Sequence, residues 1–165
     1  MKTLIRTLLM LSLIVWLGAE IFFPIVAAVT FTQLRPNTHD AGLIVGELLR
    51  LLHVAGLVAG VVLLALLALA PSWGIFRPRS ALAAMGLVLA MLGITAYSQY
   101  GIIPAMERDR LAAGGVIDAV PPDNSARAHF EALHKRSENL EGAVILLGLV
   151  VVVLVAHGES SARVG

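Results

Sequence analysis

Cysteine is absent from the 165 residues, which excludes disulfides, thiolate metal sites and cysteine nucleophiles. Charge is scarce as well. Only 14% of residues are Asp, Glu, Lys or Arg, and the formal net charge of +1 gives no electrostatic case for nucleic acid as a partner. No HExxH or CxxCH motif occurs, and the hydroxyl residues offer no nucleophile, base and orienter that could be named as a catalytic set. What fills the chain instead is apolar: 58% of residues are hydrophobic and the mean hydropathy is +0.88, far from the balance of a water-soluble domain.

Four apolar stretches, over 4–32, 43–70, 81–103 and 139–156, are each long enough to cross a hydrocarbon core of about 30 Å, which takes roughly 20 helical residues. The composition therefore predicts an all-α integral membrane protein: one domain forming an antiparallel, up-down four-helix bundle in contact with the lipid bilayer. The first stretch follows a basic MKTLIR and contains small residues at IVAAV, but it is much longer than a signal-peptide core and reads as a helix. RPNTHD and PSWGIFRPRS make two tight connections. The third, 104–137, is expected to be a long extramembrane loop with charged and helix-like pieces, AMERDRLAA and SARAHFEALHKRS, the latter capped by Asp123, Asn124 or Ser125. Glycine pairs at Gly42/Gly46, Gly56/Gly60 and Gly86/Gly93 are expected packing seams, because small residues let membrane helices approach closely. The positive-inside count conflicts between the two ends; weight on the first helix puts both termini in the cytoplasm, in an inner or plasma membrane.

FEALHKRSENLEG, residues 130 to 142, raises the main question, since it loads the entry to an aliphatic run with His134, Glu138 and Glu141. Antiparallel threading supplies an answer. It gathers Glu20 of the first helix, Glu47, Arg50 and His53 of the second, Tyr97, Gln99 and Tyr100 of the third, and His134, Glu138 and Glu141 of the fourth into the half of the bundle nearest the long loop. The opposite half is aliphatic. Spacings of three and four place His134, Glu138 and Glu141 on one helical stripe, Arg50 with His53 on a second, and Tyr97 with Tyr100 on a third. The expectation is a shared inward-facing polar pocket. Glu20, with no charge within a helical turn, requires a partner from another helix, for which Arg50 is the candidate. Pro24 cannot donate to the Glu20 carbonyl and is expected to kink the helix.

Plainer readings stand beside these. His134 and Glu138 could be interfacial, Glu47 and Arg50 a local ion pair, His53 a histidine bonded to a neighbouring helix, and Tyr97, Tyr100 and Trp73 members of an aromatic belt.

WLGAEIFFPIVAAVTF, LLRLLHVAGLVAG, YSQYGIIPAMERDR and HFEALHKRSENLEG, in that order, resemble the membrane family of unknown function that includes transmembrane protein 205, over nearly the whole chain. YSQYG departs from relatives that carry Asn-Ala-Arg near that point. A remoter similarity, through Trp16 with Gly18 and through the Leu-His of helices two and four, is to the copper-resistance D type and the haem-biosynthesis membrane oxidases. That similarity implies copper or haem as a cofactor and His53 and His134 as its ligands. Three functions follow as expectations: a non-enzymatic bundle or accessory subunit with a polar pocket, associating with other membrane subunits or with itself; a haem or copper protein; or a transporter or proton path through Glu20 and Arg50.

Overall fold

The computed structural model describes residues 2–163, with side chains through residue 158. It is all-α: α1 (Lys2–Gln33), α2 (Thr38–Leu69), α3 (Pro78–Tyr97), a π turn (Ser98–Ile102), α4 (Ile103–Ala112), a short 3-10 turn (Ile117–Ala119) and α5 (Ser125–Arg163), with no strand among the described residues. Four helical runs, Lys2–Gln33, Thr38–Leu69, Pro78–Ala112 and Ser125–Gly158, are long and apolar enough to cross a membrane, so the chain is an integral membrane protein. Most of the residues in their apolar windows face outward, as a lipid-embedded surface requires.

Local chemistry explains the ends. The Asn37 side chain accepts from the Asp40 amide at 3.1 Å to open α2, Pro78 opens α3, and the Asn124 side chain accepts from the amides of Ala126 and Arg127 to open α5. Of the three expected caps for that helix, Asn124 does the work. Gly114 and Gly115, at φ 82° and 95°, close α4 in a left-handed turn that only glycine adopts without strain.

The helices run further than the hydropathy. Residues 104–137, expected as a partly helical loop, are helical over 104–112 and 125–137, and the second piece runs straight into the fourth membrane helix as expected, because charged residues end a membrane span without ending a helix. Outside α-helix the connection is only 113–124. Pro24 does not interrupt α1, which continues for nine residues beyond it.

α1 packs on α2, α2 on α3, α3 on α5 and α5 back on α1, closing a ring; α4 rests on α5 and the π turn. The core lies almost wholly in one half. Ile5, Leu9, Leu13 and Trp16 of α1 meet Ala59, Leu63 and Leu67 of α2, Ala84, Val88 and Met91 of α3, and Val144, Val151 and Val155 of α5, while Ile75 and Phe76 of the α2–α3 connection close the bottom. Glycine seams hold it together, though not the full set expected. The Trp16 indole lies across Gly56 and Gly60, where a Cβ on Gly56 would stand 2.6 Å from Nε1 and one on Gly60 would strike the benzene edge. Gly148 is filled by Leu17 and Gly158 by Phe76. Gly42, Gly46, Gly86 and Gly93 have open space beside them and form no seam.

Above Trp16 the packing changes. α1 buries nothing after Glu20, α4 buries nothing at all, and α5 buries nothing before Ser137. Little is buried between the α1–α2 and α4–α5 hairpins here, and their tips are tied by the Thr38 hydroxyl donating to Asp118 at 2.8 Å.

Candidate functional site

The buried layer next above Trp16 is polar. Glu20 is 1% exposed and His53 fully buried, and Ser98, Ser137 and Thr95 are buried near the same level. Each arrives by its helix register. On α1, Glu20 continues the inward stripe of Leu9, Leu13 and Trp16; on α2, His53 precedes Gly56 and Gly60 by one and two turns; on α5, Glu141 belongs to the seam Ser137, Glu141, Val144, Gly148, Val151, Val155.

His53 is the hub. Its Nδ1 lies 3.1 Å from Gln99 Oε1 and its Nε2 lies 2.8 Å from Glu141 Oε1, so side chains from the π turn and α5 hold one imidazole from α2 through both ring nitrogens. Gln99 owes its position to the π turn. Pro104 has no amide to give Tyr100, and the Ile103 amide bonds instead to Ser98, five residues back, which inserts one extra residue into the helix.

Glu20 completes the layer from α1. The Glu141 carboxyl and the Trp16 indole are the polar groups that act on it. Glu20 Oε1, Glu141 Oε2, Trp16 Nε1, Thr95 Oγ1 and Ser98 Oγ are all buried. The cluster thus brings two carboxyl groups together in a buried layer, beside an indole N–H and two hydroxyls.

Of the ten expected site residues, Glu20, His53, Gln99 and Glu141 come together. The other six do not. Arg50 does not reach Glu20; it pairs at 2.6 Å with Glu47, one turn away on an accessible face of α2. That is the plain i, i+3 reading, and it removes the Glu20–Arg50 path. Tyr97, the last residue of α3, and Tyr100, in the π turn, are exposed, and Arg136 donates to the Tyr97 hydroxyl. His134 and Glu138 are solvent-accessible, 3.4 Å apart, and the His134 ring stacks on Phe130. His134 lies on the inward seam, seven residues before Glu141, but above the last packed layer, where no neighbouring helix covers it. Glu138 lies off the seam.

A shallow apolar groove lies elsewhere, between α1 and α2, lined by Leu8, Leu11, Ser12, Val15, Val58 and Val62. The polar layer is a packed cluster of buried side chains. Trp16, Thr95, Ser98 and Ser137 were missed by sequence reasoning; the available signals were helical steps of four, from Trp16 to Glu20 and from Ser137 to Glu141.

A family model described as a domain of unknown function, DUF4149, matches residues 11–113. The chain belongs to this family. The DUF4149 match runs from within α1 to the end of α4, and so contains Glu20, His53 and Gln99 while leaving Glu141 outside. No curated protein and no solved structure matches the chain.

Proposed function

We propose that this member of the DUF4149 family is a non-enzymatic membrane bundle, acting alone or as an accessory subunit, whose buried layer binds a small, positively charged ligand. One observation carries the reading: the carboxyls of Glu20 and Glu141 come together in a buried layer. Two carboxylates held close out of water repel one another, and a cation or proton is the ligand chemistry that relieves this. Few side chains are buried between this layer and the α1–α2 and α4–α5 tips, which supply an approach. We place the chain with the relatives of transmembrane protein 205, on the order of its four motifs, with both termini cytoplasmic in an inner or plasma membrane.

The haem or copper reading does not fit. Both ring nitrogens of His53 are engaged, by Gln99 and Glu141, and neither is free to ligate. His134 stands accessible on α5 with Glu138 for its partner, and the described residues contain no group of three or more ligands able to hold a metal ion.

The test is thermal stability of purified protein across a panel of monovalent inorganic cations and simple ammonium ions at constant ionic strength. One class should raise the melting temperature of wild type, and Glu20→Gln and Glu141→Gln should each abolish the increment. A cation response identical in Glu20→Gln, or no response to any cation, overturns the reading. An accessory role is tested separately, by whether the protein leaves its native membrane with other subunits under mild detergent.

A further inference from the structure

The outer face of α3 sets a second kind of site, independent of the buried layer. Trp73, Arg77 and Arg79 stand where α3 begins, with both guanidinium residues exposed. Tyr97 stands nineteen residues after Pro78, about 28 Å at the helical rise, which is close to one hydrocarbon thickness. Tyr97, 49% exposed, and Tyr100, 70% exposed, therefore reach the opposite headgroup layer.

At that level Arg136 of α5 crosses to α3, its Nη1 donating to the Tyr97 hydroxyl at 3.4 Å. Three of the six arginines at this end are neutralised on their own helix: Arg50 by Glu47, Arg110 by Glu107 and Arg127 by Glu131. Arg136 and the adjacent Lys135, both exposed, have no acidic partner among the described residues. The nearest carboxylate along α5, Glu138, is paired with His134. Toward the bundle's other end the same two helices present exposed Leu82, Leu89, Leu146 and Val153, a surface for acyl chains.

We infer that Lys135, Arg136 and the Tyr97 hydroxyl form a docking site for the phosphate-bearing headgroup of an anionic phospholipid. A guanidinium presents forked donors to phosphate oxygens, the phenol adds a donor that is already oriented, and Lys135 adds a second positive charge. Unneutralised charge and headgroup depth coincide here, and the complementary partner at that depth is a lipid phosphate.

Native mass spectrometry of the full chain from micelles containing equal phosphatidylglycerol and phosphatidylcholine tests this. Wild type should retain phosphatidylglycerol preferentially. A juxtamembrane cation contributes roughly fivefold to anionic-lipid binding, so the K135Q/R136Q double variant should lose on the order of 25-fold in that preference. R136K should keep most of it, Tyr97→Phe should lose a smaller part, and Arg108→Gln should be unchanged. An undiminished preference in the double variant overturns the proposal. So does displacement of phosphatidylglycerol from wild type by millimolar inorganic phosphate. A double variant that keeps the lipid but sheds an acidic polypeptide also overturns it, in favour of a protein partner.

Discussion

The two halves of this bundle are built from the same four helices and solve different problems. Below Trp16, side chains interlock: an indole fills a two-glycine notch, Leu17 fills Gly148, Phe76 fills Gly158, and nothing there requires charge. Above it, little is buried between the α1–α2 and α4–α5 hairpins, which are joined by the His53–Glu141 bond at the polar layer and by Thr38–Asp118 at the tips. Polar residues collect at the boundary. A carboxylate in the lower half would lack both water and partners, whereas in the upper half it would be solvated and unremarked. The boundary is where a group can be dry and still approachable. Stability is thus concentrated where there is no chemistry, and chemistry where packing gives out.

Substitutions can break this contrast, and the largest effect belongs to the packed half. Gly60→Leu, which drives a side chain into the Trp16 ring, should destabilise the protein by about 3 kcal/mol or prevent folding, while Gly86→Leu, beside open space, should leave the melting temperature in detergent near wild type. Next comes the boundary. His53→Phe strands Gln99 and Glu141 and should cost about 2–3 kcal/mol, against less than about 0.5 kcal/mol for His134→Phe, with thermal melts of the pair deciding the matter. Glu20→Leu, which removes one of two crowded buried carboxyls, should raise the melting temperature of ligand-free protein, whereas Glu107→Leu, whose carboxylate pairs only with Arg110 one turn away, should leave it near wild type. Equal shifts would remove the case for a distinct polar layer. The smallest thermal effect is expected in the open half. Thr38→Ala should cost about 0.5–1 kcal/mol but broaden the distance distribution between spin labels on the two hairpin tips, and an unchanged distribution would mean the tie does not hold them.

Much of this was legible in the sequence, for physical reasons that also mark where legibility stopped. Runs of some twenty apolar residues announce membrane helices because nothing else can satisfy backbone groups in hydrocarbon. Glu20 and His53 stand out because each interrupts such a run, and antiparallel threading then puts them at one depth with Gln99 and Glu141. Hydropathy cannot say where a helix stops once it leaves the lipid, so the charged piece at 104–112 read only as a charged segment, whereas SARAHFEALHKRS was legible as a helical run into the fourth span. Nor does a stripe of three- and four-residue steps fix which members turn inward. His134 and Glu138 share a stripe with Glu141, but one stands above the packed layer and the other off the seam. Arg50 had two acids within plausible reach, and the one on its own helix needed no tertiary arrangement to claim it. The π turn, which aims Gln99, was signalled only by Pro104 and left no trace in the hydrophobic pattern.

Trp16 lies one turn below Glu20, and its ring is seated across two glycines on the neighbouring helix. The depth of that acid is consequently fixed by an object with no charge of its own, much as a key's shoulder fixes how far the bit enters a lock. Anything that draws Glu20 toward the hairpin tips has to lift the indole out of its notch, and the disturbance passes at once into the tightly filled half. Occupancy at the boundary and integrity of the base are one mechanical event.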